Sequence, residues 1–154
     1  MMIDIRPVSR SDLDAICRHR EEMFREAGRD EINVAAMAAP FRDWLEPRLA
    51  DGRYFGFMAE RAGVVVGGIG LMEIDWPPHP AHPAEGRRGY VLNLFVEPDH
   101  RGQGVARLLM QTSDDAFARR GIAYAILHAT EAGRPLYERM GWSRTSEMAK
   151  RLQS

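Results

Sequence analysis

Residues 91–106, Val-Leu-Asn-Leu-Phe-Val-Glu-Pro-Asp-His-Arg-Gly-Gln-Gly-Val-Ala, constrain the fold more than any other stretch of the chain. Val91 to Val96 are apolar or aromatic apart from Asn93, which is the pattern of a buried strand. Pro98 has no N–H to give a central ladder, so the strand is expected to stop near Glu97. A helix is then expected from about Gln103 or Gly104. Val105, Leu108, Leu109, Thr112, Ala116 and Phe117 recur at spacings of three and four and place one stripe against a sheet.

The first turn of a helix has four N–H groups without an intrahelical partner, usually met by a Ser, Thr, Asp or Asn cap. Residues 101–106 offer none of these. Gly102 and Gly104 instead permit positive φ and close approach, so several N–H groups can converge on one acceptor at the positive end of the helix dipole. Such a nest suits a phosphate or pyrophosphate, and Arg101 and Arg107 flank it as charge-assisted donors. A phosphate loop of the Walker type ends Gly-Lys-Ser/Thr, whereas this one ends Gly-Val-Ala-Arg. The dinucleotide pattern Gly-x-Gly-x-x-Gly is incomplete as well, because Arg107 stands at its third glycine.

At Arg101, Gly104 and Ala106 the chain resembles the GNAT acetyltransferase superfamily, whose signature is Arg or Gln, two residues, Gly, one residue, then Gly or Ala. A second stretch, Gly133-Arg134-Pro135-Leu136-Tyr137-Glu138-Arg139-Met140-Gly141-Trp142, matches that family's helix bearing Leu-Tyr-Glu, then Gly and an aromatic residue. The resemblance implies a pyrophosphate of acetyl-coenzyme A held by backbone amides of the loop and a pantetheine arm paired with the preceding strand. By position it assigns Val96 N–H to the arm, Leu94 to the thioester carbonyl, and Gly102, Gln103, Gly104, Ala106 and Arg107 to the phosphates. The implied cofactor-binding set is completed by Phe95, Arg101, Val105, Thr130, Arg134 and Tyr137. Tyr137 becomes the candidate general acid, because a phenol with a pKa near ~10 can reprotonate a departing thiolate. A Tyr alone on a short helix would be an aromatic packing residue. Many relatives carry Asn and Ala where this chain has Thr130 and Gly133.

The rest of the chain is read from periodicity. Ile3 to Arg6 is expected as a first strand, followed by a helix opened by Ser9 or Ser11 with Asp12 and running to about Glu26. Ala35 to Leu49 is expected as a second helix, interrupted or offset by Pro40 and Pro47. Tyr54 to Ala59 and Val64 to Ile74 read as a hairpin turning at Arg61-Ala62-Gly63. Gly67, Gly68 and Gly70 mark a bulge or a close backbone contact, since no helix follows them. Ile122 to His128 is expected as a strand, Ala132 to Met140 as a short helix, and the chain from Trp142 onward, through Met148 and Leu152, as a final strand. The order implies an α/β chain of the α+β type, a single domain over residues 1–154 with a mixed, mainly antiparallel sheet flanked by helices. With 154 residues and 45% hydrophobic content, one sizeable core is within reach.

Charge and cysteine content exclude some classes. The 21 basic and 22 acidic residues leave a net charge of -1, so no global field favours nucleic acid, and none is expected as a partner. Cys17 is the only cysteine and is read as a reduced core residue on the stripe of the first helix. The chain lacks a signal-type start and any window of ~20 apolar residues, so a cytoplasmic protein without membrane contact is expected.

The acceptor side is less legible. Between the third and fourth strands lies Asp75 to Gly89, with four of the nine prolines within seven residues, expected as a stiff and extended loop. Trp76 there is a candidate stacking surface for an acceptor, and Asn93 a second candidate substrate contact. His79 and His82 stand three apart, but prolines break any helix that would align them and no metal is expected. The attacking amine must be neutral, and Glu73, Asp75 and His128, at strand ends, are candidate bases, with solvent as the alternative. The leading reading is therefore an acetyl-coenzyme A dependent N-acetyltransferase acting on a small-molecule or peptide amine by direct attack. A catalytically weak or inactive acyl-coenzyme A sensing module, or a domain binding another phosphate ligand, would share the glycine loop. A homodimer is common in proteins of this resemblance.

Overall fold

The computed structural model describes residues 2–153. In chain order the elements are β1 (Asp4–Pro7), α1 (Leu13–Glu26), α2 (Glu31–Asp51), β2 (Phe55–Arg61), β3 (Val64–Asp75), β4 (Arg87–Val96), α3 (Val105–Arg119), β5 (Ala125–Leu127) and α4 (Arg134–Arg139). Short 3-10 turns at 10–12 and 98–100 precede α1 and α3. The five strands form one sheet in sequence order. Its first three ladders are antiparallel and β4 to β5 is parallel.

Two apolar layers cover the two faces. On one, α3 brings Val105, Leu109, Met110 and Phe117 against Val66, Leu71 and Val91. On the other, α1 and α2 bring Leu13, Ile16, Phe41 and Leu45 against Tyr54 and Met58. Each such side chain contributes about 1.5–3 kcal/mol by leaving water. Cys17 lies buried in the second layer.

Several boundaries differ from expectation. The second helix starts at Glu31, capped by the Asp30 carboxylate accepting from Ile32 N, and runs through Pro40 and Pro47 without interruption to Gly52 in the left-handed region. Burial of Val34, Phe41 and Leu45 on one stripe outweighs the two hydrogen bonds the prolines remove. β5 is confined to Ala125–Leu127, because Ile122 and its neighbours close the turn after α3, with Ile122 N donating to Phe117 O. The proline-rich loop is not extended. Trp76 N donates to Gly86 O across its base, and His79 and His82 pair their backbones around Pro80-Ala81.

The expected final strand does not form. Residues 143–153 pair with no strand, and Met148 and Leu152 stand 93% and 84% exposed. Two apolar side chains among polar neighbours supply too little burial to fix a strand, and β5 offers an edge of only three residues. The outer edge of β5 is therefore unpaired among the described residues.

Two irregularities of the sheet lie in its centre. The β3–β4 register shifts between Gly68, opposite Phe95, and Gly70, opposite Leu92, so Ile69 faces both Asn93 and Leu94. Asn93 takes up the extra residue with φ of 57°, in the left-handed region that Asn tolerates better than most residues. Gly70 has no side chain because Tyr54 lies across it; a Cβ there would stand 2.0 Å from the Tyr54 hydroxyl.

Candidate functional site

The glycine loop closes as a backbone nest. Gly102 and Gly104 have φ of 72° and 84°, and α3 begins at Val105 with Gly104 as its cap and no side-chain capping bond. The N–H groups of residues 102 to 107 find no acceptor among the described residues, whereas Leu108 N already donates to Gly104 O. Six consecutive donors at a helix N-terminus make an anion cradle without any side chain.

Arg101 is placed differently from its expected flanking role. Its Nε donates to Val96 O at 2.7 Å, and its Nη2 donates to both carboxylate oxygens of Glu26, at 2.8 and 2.9 Å. The side chain thus braces the end of β4 and the loop against α1. Gln103 Oε1 accepts from Arg61 Nη1 at 2.7 Å, which ties the loop to the β2–β3 hairpin. Arg107 makes no ion pair among the described residues and keeps its charge beside the cradle.

β4 then leads away from the loop with one edge open. It pairs with β5 only through Gly89, Tyr90 and Val91. From Leu92 to Val96 the two strands part, so the backbone of Leu94 and Val96 on that side faces an opening. An extended ligand arm can pair there as a strand would.

Tyr137, on α4, packs with Leu94 and Ala106 against the core cluster under α3. It lines a cleft of about 600 Å³ together with Leu127, His128, Arg134, Trp142 and Glu147. Burial pushes its phenol above the ordinary value, so it stays protonated at neutral pH. Gly133 makes room for the ring, since a Cβ would lie 3.1 Å from Tyr137 Cε2. The Thr130 hydroxyl accepts from Gly133 N at 3.1 Å in the turn that leads into α4. Arg134 pairs with Glu131 at 3.1 Å.

The base candidates separate clearly. Glu73 pairs with Gly89 on β4, five residues before Leu94, hence about 17 Å along the strand. Its Oε1 is bound by Arg87 at 2.9 Å and Arg120 at 3.4 Å, at the far end of α3 from the glycine loop. That is a structural ion cluster, too distant to take a proton from an amine at Leu94. Asp75, two residues further along, is more distant still. His128 follows Leu127, the partner of Val91, and lines the cleft. Its Nε2 bonds the Glu147 carboxylate, and its Nδ1 lies 2.6 Å from the Tyr90 hydroxyl. With Nε2–H donating to Glu147, Nδ1 is the acceptor and Tyr90 the donor. Sequence reasoning did not find Tyr90 or Glu147. No local pattern links residues 90, 128 and 147.

Trp76 and Asn93, the two candidate acceptor contacts, have internal partners. The Arg88 guanidinium carbon sits 4.3 Å from the Trp76 ring centroid, and Arg88 Nε donates to His82 Nε2 at 2.9 Å. This occupies one face of the indole, while Trp76 as a whole stays 37% exposed. Asn93 donates through Nδ2 to the Tyr54 hydroxyl at 3.1 Å and accepts from Arg20 Nη1 at 2.7 Å.

Comparison with known proteins agrees with this geometry. Residues 13–142 match the model of the acetyltransferase (GNAT) family. A GCN5-related N-acetyltransferase from Ralstonia eutropha JMP134 is 58% identical and superposes with a TM-score of 0.97 over 98% of this chain and 99% of that one. A predicted acetyltransferase from Clostridium acetobutylicum, solved with acetyl-CoA, shares the fold at 24% identity and a TM-score of 0.85, over 97% of this chain and 95% of that one. A probable N-acetyltransferase, family 8 member 5, of Mus musculus is 32% identical over 98 residues, 61% of this chain and 40% of the relative's own length. An uncapped helix opened by two glycines, a parting pair of strands beside it, and a family match spanning both signatures lead to one conclusion: the chain belongs to the GNAT family of acetyltransferases.

Proposed function

We propose that the protein transfers an acetyl group from acetyl-coenzyme A to a primary amine by direct attack. The observation that carries this reading is the meeting of three features: the six free amides of residues 102–107, the open edge of β4 beyond Val91, and Tyr137 packed with Leu94 and Ala106 against one core cluster. The amides hold the pyrophosphate, and Arg107 adds charge. The backbone of Val96 and Leu94 pairs with the pantetheine arm and directs N–H toward the thioester carbonyl. A strand amide there stabilises the oxyanion that develops as the amine attacks. Tyr137, kept neutral by burial, donates its proton to the leaving sulfur. The proton of the incoming ammonium passes to the Tyr90 hydroxyl oxygen as Tyr90 gives its own proton to His128 Nδ1, and Glu147 holds the imidazolium that results through Nε2–H.

Tyr137→Phe tests the assignment. Turnover, followed as release of free coenzyme A thiol, is expected to fall by roughly 10²–10⁴-fold, while acetyl-coenzyme A binding by calorimetry stays unchanged. Undiminished turnover would remove Tyr137 from the mechanism. A sensing module, which Thr130 and Gly133 at the positions of the family's Asn and Ala favour, would bind acetyl-coenzyme A tightly and release no thiol with any amine.

A further inference from the structure

α1 faces the sheet with Leu13, Ile16, Cys17, Arg20 and Phe24, at spacings of three and four. Four of these five are apolar or small, as burial demands. The fifth is a cation. The Arg20 guanidinium carbon lies 4.9 Å from the Phe24 ring centroid and 4.7 Å from that of Phe41.

Charge in such a place is normally paired, because removing an ion from water is costly unless a counter-ion replaces the solvent. Several arginines obey this, whereas buried Arg88 is met by His82 and the Trp76 and Tyr124 rings and Arg61 by His100 and Gln103. Arg6 has Asp12 and Glu60, Arg25 has Glu31, Arg87 has Glu73, and Arg101 has Glu26. Arg20 has no carboxylate within reach among the described residues. Its one hydrogen bond goes to the neutral Asn93 side chain, and its Nε is fully buried without an acceptor. Burial lowers its pKa, with the Tyr54 and Tyr90 phenols working the other way.

The position matters as much as the missing partner. Asn93 immediately precedes Leu94, the residue assigned to the thioester carbonyl, and it projects on the face that α3 does not cover. Tyr90, close enough to Arg20 for its field to be felt, bonds His128. A cation and a proton acceptor thus stand near one another beside the same strand edge.

We infer that the acceptor carries a carboxylate close to its amino group, and that Arg20 is the residue that receives it. The acceptor is then of the amino-acid type: the carboxylate meets Arg20 between Phe24 and Phe41, and the ammonium lies toward His128 and the thioester. A planar guanidinium with free N–H groups matches a carboxylate in a paired, coplanar geometry. Asn93 and Tyr54 act as positioning residues that aim the guanidinium. This inference rests on the acetyl-transfer reading for its chemistry, although the anion site does not depend on turnover.

The test is an acceptor panel in which each L-amino acid is compared with its amide and its decarboxylated amine, with thiol release as the readout. Free acids are expected to have KM values roughly 10- to 150-fold lower than the neutral analogues, the worth of a charge-assisted bond. Amides and simple amines that serve equally well would overturn the assignment. Arg20→Met is expected to abolish the preference while the KM for acetyl-coenzyme A stays within about twofold, a bound that also reports an intact fold. Arg20→Lys keeps the charge without the fork and is expected to retain part of the preference. A preference that survives Arg20→Met would sink the proposal. If no amine is acetylated, the proposed activity fails separately, and calorimetry of N-acetyl-L-amino acids against their amides, with coenzyme A present, decides the subsite. Binding of the acid that is lost in Arg20→Met supports it, and absence of binding to the wild type refutes it.

Discussion

The proposed donor end and the proposed acceptor face of this molecule are built from different materials. The donor end is backbone: six consecutive amides, two glycines and one helix start, all within residues 101–107. The proposed acceptor face is side chains gathered from α1, the residue before β2, β4, the residue after β5 and the irregular C-terminal segment, among them Arg20, Tyr54, Tyr90, Asn93, His128 and Glu147. A backbone site depends on dihedral angles and tolerates changes of side chain. A side-chain site depends on the packing that aims each group, and it can change its ligand without disturbing the donor.

That contrast can be strained at its seam, where His19 of α1 stacks on Phe95 with ring centroids 4.8 Å apart. Burial, reinforced by Arg18, lowers its pKa to about 4, so its 3.8 Å approach to the Glu97 carboxylate is not an ion pair at neutral pH. The unfolded chain binds this proton near pH 6.5 and the folded one only near 4. Stability is therefore whole above 6.5 and declines as pH falls from 6.5 to 4, by about 3 kcal/mol. Chemical denaturation across that window, with His19→Gln as control, checks the slope. A variant that keeps the full slope would place its origin elsewhere.

Gly70→Ala probes the acceptor face alone. The added Cβ meets the Tyr54 ring, so a destabilisation of about 1–3 kcal/mol is expected, with the acceptor KM raised and the acetyl-coenzyme A affinity little changed. Equal damage to both substrates would erase the division between the two regions. Gly104→Ala probes the donor end alone. Nothing lies within 4 Å of a Cβ there, so the cost is the left-handed backbone, about 1–2 kcal/mol. It should appear as weaker acetyl-coenzyme A binding with acceptor preference intact. The smallest effect is expected from Arg107→Ala, whose exposed side chain would meet the phosphate as a surface ion pair contributing about 0–1 kcal/mol to acetyl-coenzyme A binding. A larger loss there than at Gly104 would mean that side chains, not amides, hold the phosphates.

The same contrast explains what was legible in the sequence. α3, the glycine loop and the β2–β3 hairpin were readable because their signals are local: a 3.6-residue stripe, two glycines without a cap, and a turn at Ala62-Gly63 with both residues at positive φ. The uninterrupted α2 was not, since helix-breaking by Pro40 and Pro47 is a local rule overridden by burial on the sheet. The expected final strand failed for the converse reason, as alternating apolar residues make a strand only where a ladder partner exists. Glu73 looked like a base because strand ends often carry one, and only the register showed it to lie about 17 Å along the strand from Leu94. Arg20 did leave a trace, a charge at a position of the α1 stripe where the spacing calls for an apolar residue. Its meaning appears only with Asn93, Phe24 and Phe41 around it.

The extra residue at Asn93 has a consequence for how such a chain can change. Before it, the odd-numbered residues of β4, Gly89 and Val91, look toward α3; after it the even-numbered Leu94 and Val96 do, while Phe95 turns to His19. One left-handed residue therefore inverts the phase of the strand. Substitutions on either side alter a single wall, and deleting Asn93 would leave Leu94, Phe95 and Val96 on the faces they now hold, since plain alternation from Val91 through Leu92 also turns Leu94 toward α3; what would go is the left-handed residue and its bonds to Tyr54 and Arg20. At this one place the strand can lose a residue without changing its faces, and the identity of the residue matters more than its presence.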